Sequence, residues 1–322
     1  MPFRQTFFLL LIIVSLILDP CSSLRANDSD SSGSTQKEQD PIIMDYFDAA
    51  IYGIIEGVTE FLPISSTGHL IIANELIENE KSSQKQEEAI NAYLIVIQGG
   101  AILAVALIYR LQVWSMILGI AGVNPKGRRL LINILFAFLP AAFLGLLLDE
   151  VIESYLFGLL PVAIALFGGA VFMGWAERRK KIQESSIVSH GEKTLEDLTI
   201  RSSLIIGFLQ CFAMWPGTSR SMMTIVGGYM VGLSRVHAAE FSFLLGLVTL
   251  TAAALYKSLT KWKVMNEYLT FGPIAFGCLV AGGCAAASVF WLVSYLSRRG
   301  LGVFVVYRII LSAIVLSIYL IG

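Results

Sequence analysis

The sequence predicts an all-α integral membrane protein, with six transmembrane helices and two re-entrant helical hairpins arranged as an inverted-topology repeat. Three observations carry that expectation. Hydrophobic residues make up 56% of the 322-residue chain and charged residues only 15%, with a mean hydropathy of +0.72, whereas a soluble domain carries about 25% charge. Six apolar runs reach the roughly 20 residues needed to cross a bilayer. Two further apolar stretches are each broken midway by Pro and a cluster of Gly, Ser and Thr.

In chain order, the N-terminus stands apart. Arg4 precedes the apolar run "TFFLLLIIVSLIL", too short to span comfortably, and Leu24-Arg25-Ala26 ends on a small residue. Residues 1–26 therefore read as a signal peptide, with an uncleaved anchor as the alternative. Residues 27–41, "NDSDSSGSTQKEQDP", are polar and acidic and read as a disordered exported tail. Residues 42–322 form one membrane-embedded domain. It opens on a broken stretch at 46–77, crosses near 92–109, 130–148 and 156–175, breaks again at 201–234, and crosses near 238–256, 270–296 and 301–321. Broken helices at membrane depth survive only where protein or a wet cavity surrounds them.

Charge placement orients these spans. With residue 42 outside, the loops carrying Arg110, Lys126, Arg128, Arg129, the run Arg178 to Lys181, Arg235, Arg298 and Arg299 all fall inside, as the positive-inside rule requires. Lys257, Lys261 and Lys263 run against it. The first hairpin then opens outward and the second toward the cytoplasm. Laid side by side, "GIIEGVTEFLPISSTGHL" and "GFLQCFAMWPGTSRSMMT" both open on Gly, carry Glu56 or Gln210 three positions on, and end in a Pro and hydroxyl-rich turn. Inverted repeats of this kind build their site where the broken helices meet.

Several classes are excluded. A net charge of −1 supplies no basic field for nucleic acid. Cys21, Cys211, Cys278 and Cys284 lack metal-ligand spacing, so neither zinc nor a disulfide framework is indicated. The pairs Gly99-Gly100, Gly168-Gly169, Gly227-Gly228 and Gly282-Gly283 read as close helix packing. The run Arg178 to Lys181 reads as a topology determinant in a solvated loop.

Chemistry concentrates at the two breaks. Glu56 and Glu60 are four apart, share one helix face, and repel. Buried together, they call for a facing cation or a proton. Two carboxylates suit Mg²⁺ or Ca²⁺, above all when substrate phosphates complete the shell. After Pro63, Ser65, Ser66 and Thr67 begin a new helix, where hydroxyls and free N–H groups make an anion site or simply a cap; the geometry serves both. Arg220 supplies a forked cation for phosphate, or an interfacial anchor. His69 reads as a proton carrier near neutral pH, or as a satisfied buried histidine.

At these residues the sequence resembles a known family. "EGVTEFLPISSTGHL" and "PGTSRSMMT" are similar to the two signature motifs of undecaprenyl-diphosphate phosphatases, the bacitracin-resistance type of lipid-carrier phosphatase in bacterial inner membranes. "VIQGGAILAV", "FLQCFAMWPG", "AAEFSFLLG" and "YRIILSAIV" extend the resemblance over about residues 45–322. It implies hydrolysis of undecaprenyl diphosphate to the monophosphate and inorganic phosphate at the periplasmic side, recycling the carrier for cell-wall synthesis, with a divalent cation. The family's glutamate pair falls on Glu56 and Glu60, its hydroxyl turn on Ser65, Ser66 and Thr67, its histidine on His69, and its second-motif serine and arginine on Ser219 and Arg220. The expected site therefore has metal ligands at Glu56 and Glu60, catalytic residues at Glu60, Ser66, His69 and Arg220, and diphosphate contacts at Ser65, Thr67 and Ser219, with the neighbouring hydroxyls Ser221 and Thr224 added to them. The implied partners are a polyprenyl diphosphate and the surrounding lipids, without nucleic acid, and a homodimer stays open. Met222 and Met223 depart from the small residues usual there.

Two choices stay open at this point. Ser66 attacks with His69 assisting, or water attacks with Glu60 as base. An inverted repeat with broken helices is also a transporter architecture, so a polyprenyl-phosphate flippase is the alternative. The acid-phosphatase-type lipid phosphatases, which "SSTGH" resembles, fail because "SRVHAAE" lacks their Arg-to-His spacing.

Overall fold

The structure, a computed structural model, describes residues 45–77, 84–186, 192–260 and 271–321. The expected signal peptide and tail, 1–26 and 27–41, lie outside the described residues, as do Lys261 and Lys263. In order come α1 (Tyr46–Thr59), α2 (Ser66–Ile77), α3 (Gln84–Ile108), α4 (Arg110–Ile120), α5 (Pro125–Leu156) and α6 (Leu159–Ser186). A 3₁₀ turn at Leu195–Asp197 leads to α7 (Ile200–Cys211), a second at Phe212–Met214 follows it, and then come α8 (Arg220–Met230), α9 (Arg235–Thr260), α10 (Phe271–Leu296) and α11 (Gly302–Ile321). No strand occurs among the described residues beyond an isolated bridge between Lys193 and Leu233.

Six of these helices, α3, α5, α6, α9, α10 and α11, are long and apolar enough to cross a membrane. They fall on the six runs expected from the sequence. The remaining apolar stretches are divided as expected too: α1 from α2 at the Pro63 turn, and α7 from α8 at the Pro216 turn.

The loop expected around Arg110 is instead helix α4. Its eleven residues are apolar but too few to span, so a search for crossings passes over them. Asn124 fixes the corner: its side-chain oxygen accepts from the Gly127 N–H at 3.0 Å to cap α5, and its amide nitrogen donates to Ser115 Oγ at 2.9 Å.

Packing exchanges the halves of the chain. Helix α1 lies on α10, α7 lies on α5, and α9 contacts α3, α5 and α8. Both broken helices approach their partners through a glycine. A Cβ on Gly57 would collide with the Ala281 carbonyl, and one on Gly207 with the Ala137 carbonyl. Contact this close between backbones is what holds helices together where lipid removes the hydrophobic driving force. Among the paired glycines, Gly100, Gly169, Gly227, Gly228 and Gly282 meet a neighbour within 4 Å, whereas Gly99, Gly168 and Gly283 face open space. The interior is densest at α8 and α9, where Met222, Ile225, Phe241, Phe243 and Leu244 are fully buried.

A Gly57→Ala change is expected to lower the thermal unfolding temperature in detergent by the equivalent of about 1–3 kcal/mol of overpacking. Gly99→Ala, with nothing within 4 Å of the added carbon, is expected to be neutral. Equal behaviour of the two variants would show that the α1–α10 contact does not depend on the missing side chain.

Candidate phosphate site at the two helix breaks

Both breaks are made the same way. Ser65 and Ser219 are the non-glycine residues with positive φ among those described, at 77° and 76°. Each precedes the first residue of a helix, and each turns its hydroxyl back to accept from a backbone N–H three residues on: Gly68 N to Ser65 Oγ and Met222 N to Ser219 Oγ, both at 3.3 Å. Left-handed backbone at a serine is sparsely populated and costs of order 1–3 kcal/mol, and such strain gathers at functional sites. Here it aims two helix N-termini, with their unpaired N–H groups and positive dipole ends, at one place.

That place is a cavity of about 160 Å³ walled by Glu60, Ser65, Ser66 and Thr67 from the first break, Gln98 from α3, and Ser219 and Arg220 from the second. Ser66 and Arg220 occupy equivalent positions, one residue past their strained serines. They share a single partner. Ser66 Oγ donates to Glu60 Oε2 at 2.6 Å and Arg220 Nη2 donates to Glu60 Oε1 at 3.0 Å, with the Glu60 and Arg220 side chains only 6% and 11% exposed. Arg220 Nη1 donates to the Ser242 carbonyl at 3.0 Å, while its buried Nε finds no acceptor among the described residues. The interfacial-anchor reading of Arg220 is therefore set aside. The residue crosses 160 positions of sequence to pair with a carboxylate.

The other expected residues divide. Glu56 is buried one turn before Glu60 and accepts from Gln98 Nε2 at 3.1 Å, so it stands behind Gln98 rather than in the cavity wall. Thr67 reaches the wall. Ser65 and Ser219 also line it, but their hydroxyls cap helices. Ser221 and Thr224 are buried away from it: Thr224 Oγ1 donates to the Arg220 carbonyl at 2.9 Å and lies 2.6 Å from Ser242 Oγ, which holds the start of α8 against α9. His69 is not part of the wall either. Its Nδ1 bonds the Ser65 carbonyl at 2.6 Å and its Nε2 bonds the Tyr307 hydroxyl at 2.5 Å. A carbonyl only accepts, so Nδ1 carries the proton and Nε2 of the neutral ring receives the Tyr307 O–H.

Three contributors were missed in the sequence. Gln98 and Tyr307 carry no charge and sit in apolar spans, so nothing beyond their place in the family-like segments "VIQGGAILAV" and "YRIILSAIV" marked them. Arg308 had a signal: it is a lone cation inside α11, and intramembrane ionisable residues read as functional by default. It is fully buried, and its Nη2 donates to Ala165 O at 3.2 Å and Gly217 O at 2.9 Å. It thereby ties α6 and α11 to the tip of the second break.

Comparison with known proteins gives the chain's relatives. Residues 49–314 match the family described as "Bacitracin resistance protein BacA". The chain is 43% identical to "Undecaprenyl-diphosphatase 2" of Rhodospirillum rubrum over 272 residues, covering 84% of this chain and 93% of that protein. It is 42% identical to "Undecaprenyl-diphosphatase" of Sorangium cellulosum, covering 85% and 86%, and 41% identical to that of Pseudomonas putida, covering 86% and 95%.

Replacing Arg308 by Lys keeps a charge but removes the Nη2 that serves both carbonyls, and the shorter side chain does not put its ammonium at the same place. A hydrogen bond from a charged donor contributes about 1.5–3 kcal/mol, so amide exchange across residues 215–219 is expected to accelerate by about ten- to a hundredfold, with α9 unchanged. Unaltered exchange at the tip would remove Arg308 from its support.

Proposed function

Because the chain belongs to the bacitracin resistance protein BacA family, we propose that it hydrolyses undecaprenyl diphosphate to undecaprenyl phosphate and inorganic phosphate. The observation that carries this reading is the Glu60 carboxylate, held between Ser66 Oγ and Arg220 in one small cavity. Ligand pockets for whole drug-sized molecules measure about 300–1,000 Å³. A cavity of about 160 Å³ takes a phosphate headgroup and leaves a prenyl chain outside, among the lipid-facing helices.

The chemistry follows from the contacts. Ser66 Oγ attacks the terminal phosphorus and passes its proton to Glu60, which already accepts its hydrogen bond at 2.6 Å. The bond from that phosphorus to the bridging oxygen breaks, and the bridging oxygen departs with undecaprenyl phosphate. Water then cleaves the phosphoserine, releasing inorganic phosphate. Arg220 and the two helix N-termini hold the phosphoryl oxygens, and such positioned charge is most of what phosphoryl transfer requires. His69, bonded to the Ser65 carbonyl and Tyr307, positions the strained turn rather than touching the reacting atoms.

A divalent cation fits this reading in one way only. The described residues contain no cluster of three or more His, Cys, Asp or Glu, so no all-protein cage is present among them. Glu60 provides a hard carboxylate at the wall, with Glu56 one turn behind it and bonded to Gln98, and such oxygens would bind Mg²⁺ or Ca²⁺ only with substrate phosphates completing the shell. When bound there, the cation supplies neutralising charge to the diphosphate.

The same reading places the protein in the bacterial inner membrane with the cavity reached from the periplasmic side, where it returns the lipid carrier to cell-wall synthesis and resists bacitracin. It also takes the two breaks as re-entrant hairpins of an inverted repeat. Supporting this are the matched caps at Ser65 and Ser219 and the exchanged packing of α1 on α10 and α7 on α5.

Purified protein in detergent is expected to release phosphate from undecaprenyl diphosphate, and EDTA is expected to suppress the release. Glu60→Gln and Arg220→Ala should each lower kcat/KM by about 10²–10³-fold, the scale of losing one preorganised charge-stabilising contact. Ser66→Ala should abolish turnover and the acid-stable label trapped from a ³²P-terminal substrate. Retention of most activity by Ser66→Ala would transfer the attack to water, and a folded wild-type protein that releases nothing would sink the phosphatase reading.

A further inference from the structure

A second cavity, larger than the first, lies at the far end of α6. It measures about 480 Å³ and is walled by Trp175, Arg179, Lys180 and Gln183 of α6 and by Tyr229 and Met230 at the end of α8. None of these residues borders the Glu60 cavity. From their chemistry and depth, we propose that this cavity binds the phosphate headgroup of an anionic membrane phospholipid.

Depth comes first. Helix α6 has 28 residues and rises about 1.5 Å per residue, so it is about 42 Å long against a hydrocarbon core of about 30 Å. Its surplus falls at the polar C-terminal end, Arg178 to Ser186. Arg179 and Gln183 therefore stand at headgroup level, and Trp175 at the hydrocarbon boundary, where Trp is enriched. Trp175 is 43% exposed and Met230 49%, which leaves an apolar rim beside the polar floor. Free phosphate has no use for such a rim. Acyl chains do.

Charge comes second. Most cations in this corner are already matched. Lys180 pairs with Glu192 at 3.0 Å and donates to the Leu233 carbonyl at 2.9 Å; Arg235 holds Glu177 at 2.7 Å and Glu184 at 2.9 Å. Arg179 has no carboxylate partner among the described residues. Its guanidinium lies over the Trp175 ring, 5.1 Å from the centroid. Stacking uses the face of the guanidinium and leaves its in-plane N–H donors to grip phosphate oxygens. Basic pockets between helices at headgroup level are where anionic lipids are recognised. The surrounding ion pairs bind the end of α6 to the segments around Glu192, Leu233 and Arg235, so the floor is fixed before a ligand arrives.

This site is independent of the catalytic reading, and its test leaves Glu60, Ser66 and Arg220 untouched. Full-length protein in neutral detergent is titrated with phosphatidylglycerol or phosphatidylcholine while thermal unfolding is followed, and native mass spectrometry counts the lipid retained. Phosphatidylglycerol is expected to raise the unfolding temperature and to stay bound, with phosphatidylcholine weaker. Arg179→Gln should weaken phosphatidylglycerol binding by about fivefold or more, given about 1 kcal/mol per basic residue at a lipid surface. Arg178→Gln, one residue away and outside the cavity wall, should not. If Arg179→Gln fails to fold, Trp175→Leu removes the stacked platform and should have the same effect. Equal responses to the two lipids, equal losses from Arg178→Gln and Arg179→Gln, or the same stabilisation by inorganic phosphate alone would each overturn the proposal.

Discussion

The carboxylate of Glu60 is where the two halves of the chain meet. One oxygen takes the hydroxyl of Ser66, six residues on, and the other takes the guanidinium of Arg220, 160 residues on. A charge pair at membrane depth is expensive to assemble and more expensive to halve, because removing one partner strands the other. Everything that brings the two breaks to the same depth therefore bears on this pair. Glycine lets α1 and α7 seat directly on α10 and α5, Thr224 holds the start of α8 to Ser242, and Arg308 fastens the tip at Gly217.

The strained serines explain why the breaks converge rather than merely occur. Proline alone ends a helix, but it does not say where the next one points. A left-handed residue reverses the chain within a single position, and its own hydroxyl then closes the cap. Serine does both with one side chain, where glycine would turn and leave the N–H unpaired. The third bond on the first turn, from His69 to the Ser65 carbonyl, fixes the strained peptide from its other side. At Ser219 the carbonyl accepts from the Met223 N–H at 3.1 Å and from no side chain among the described residues, while Arg308 takes the carbonyl two residues earlier.

Much of this was legible in the residues. The six spans and both breaks follow from apolar run length and helix breakers, and the need of Glu56 and Glu60 for a facing cation or a proton follows from the cost of intramembrane charge; that Arg220 is the cation Glu60 meets did not, because the sequence offered Arg220 to phosphate or to the interface. Helix α4 did not, because eleven apolar residues satisfy no spanning rule. The roles of Ser221, Thr224 and His69 did not either. Motif position places a side chain on a helix, but which way it faces depends on what packs beside it: α9 for Thr224 and Tyr307 of α11 for His69. Arg308 was readable as a lone intramembrane cation, yet its target, a backbone carbonyl in another element, leaves no trace in residue type.

Charge accounting then constrains the catalytic reading. In the cavity as built, one anion and one cation cancel. A diphosphate brings more than one negative charge, and in a site of low dielectric uncompensated charge is far costlier than in water. Nε is the one Arg220 nitrogen without an acceptor among the described residues, and the two helix N-termini supply only about half a charge each. Arg308 lies behind the turn and outside the cavity wall, its Nη2 on two carbonyls and its Nε and Nη1 without an acceptor among the described residues. Beyond the cancelled Glu60–Arg220 pair, the two N-termini thus offer about one unit of positive charge, less than a diphosphate carries. The proposed reading assigns the remainder to a divalent cation arriving with the substrate beside Glu60, since hard carboxylate and phosphate oxygens together are the donor set such an ion takes.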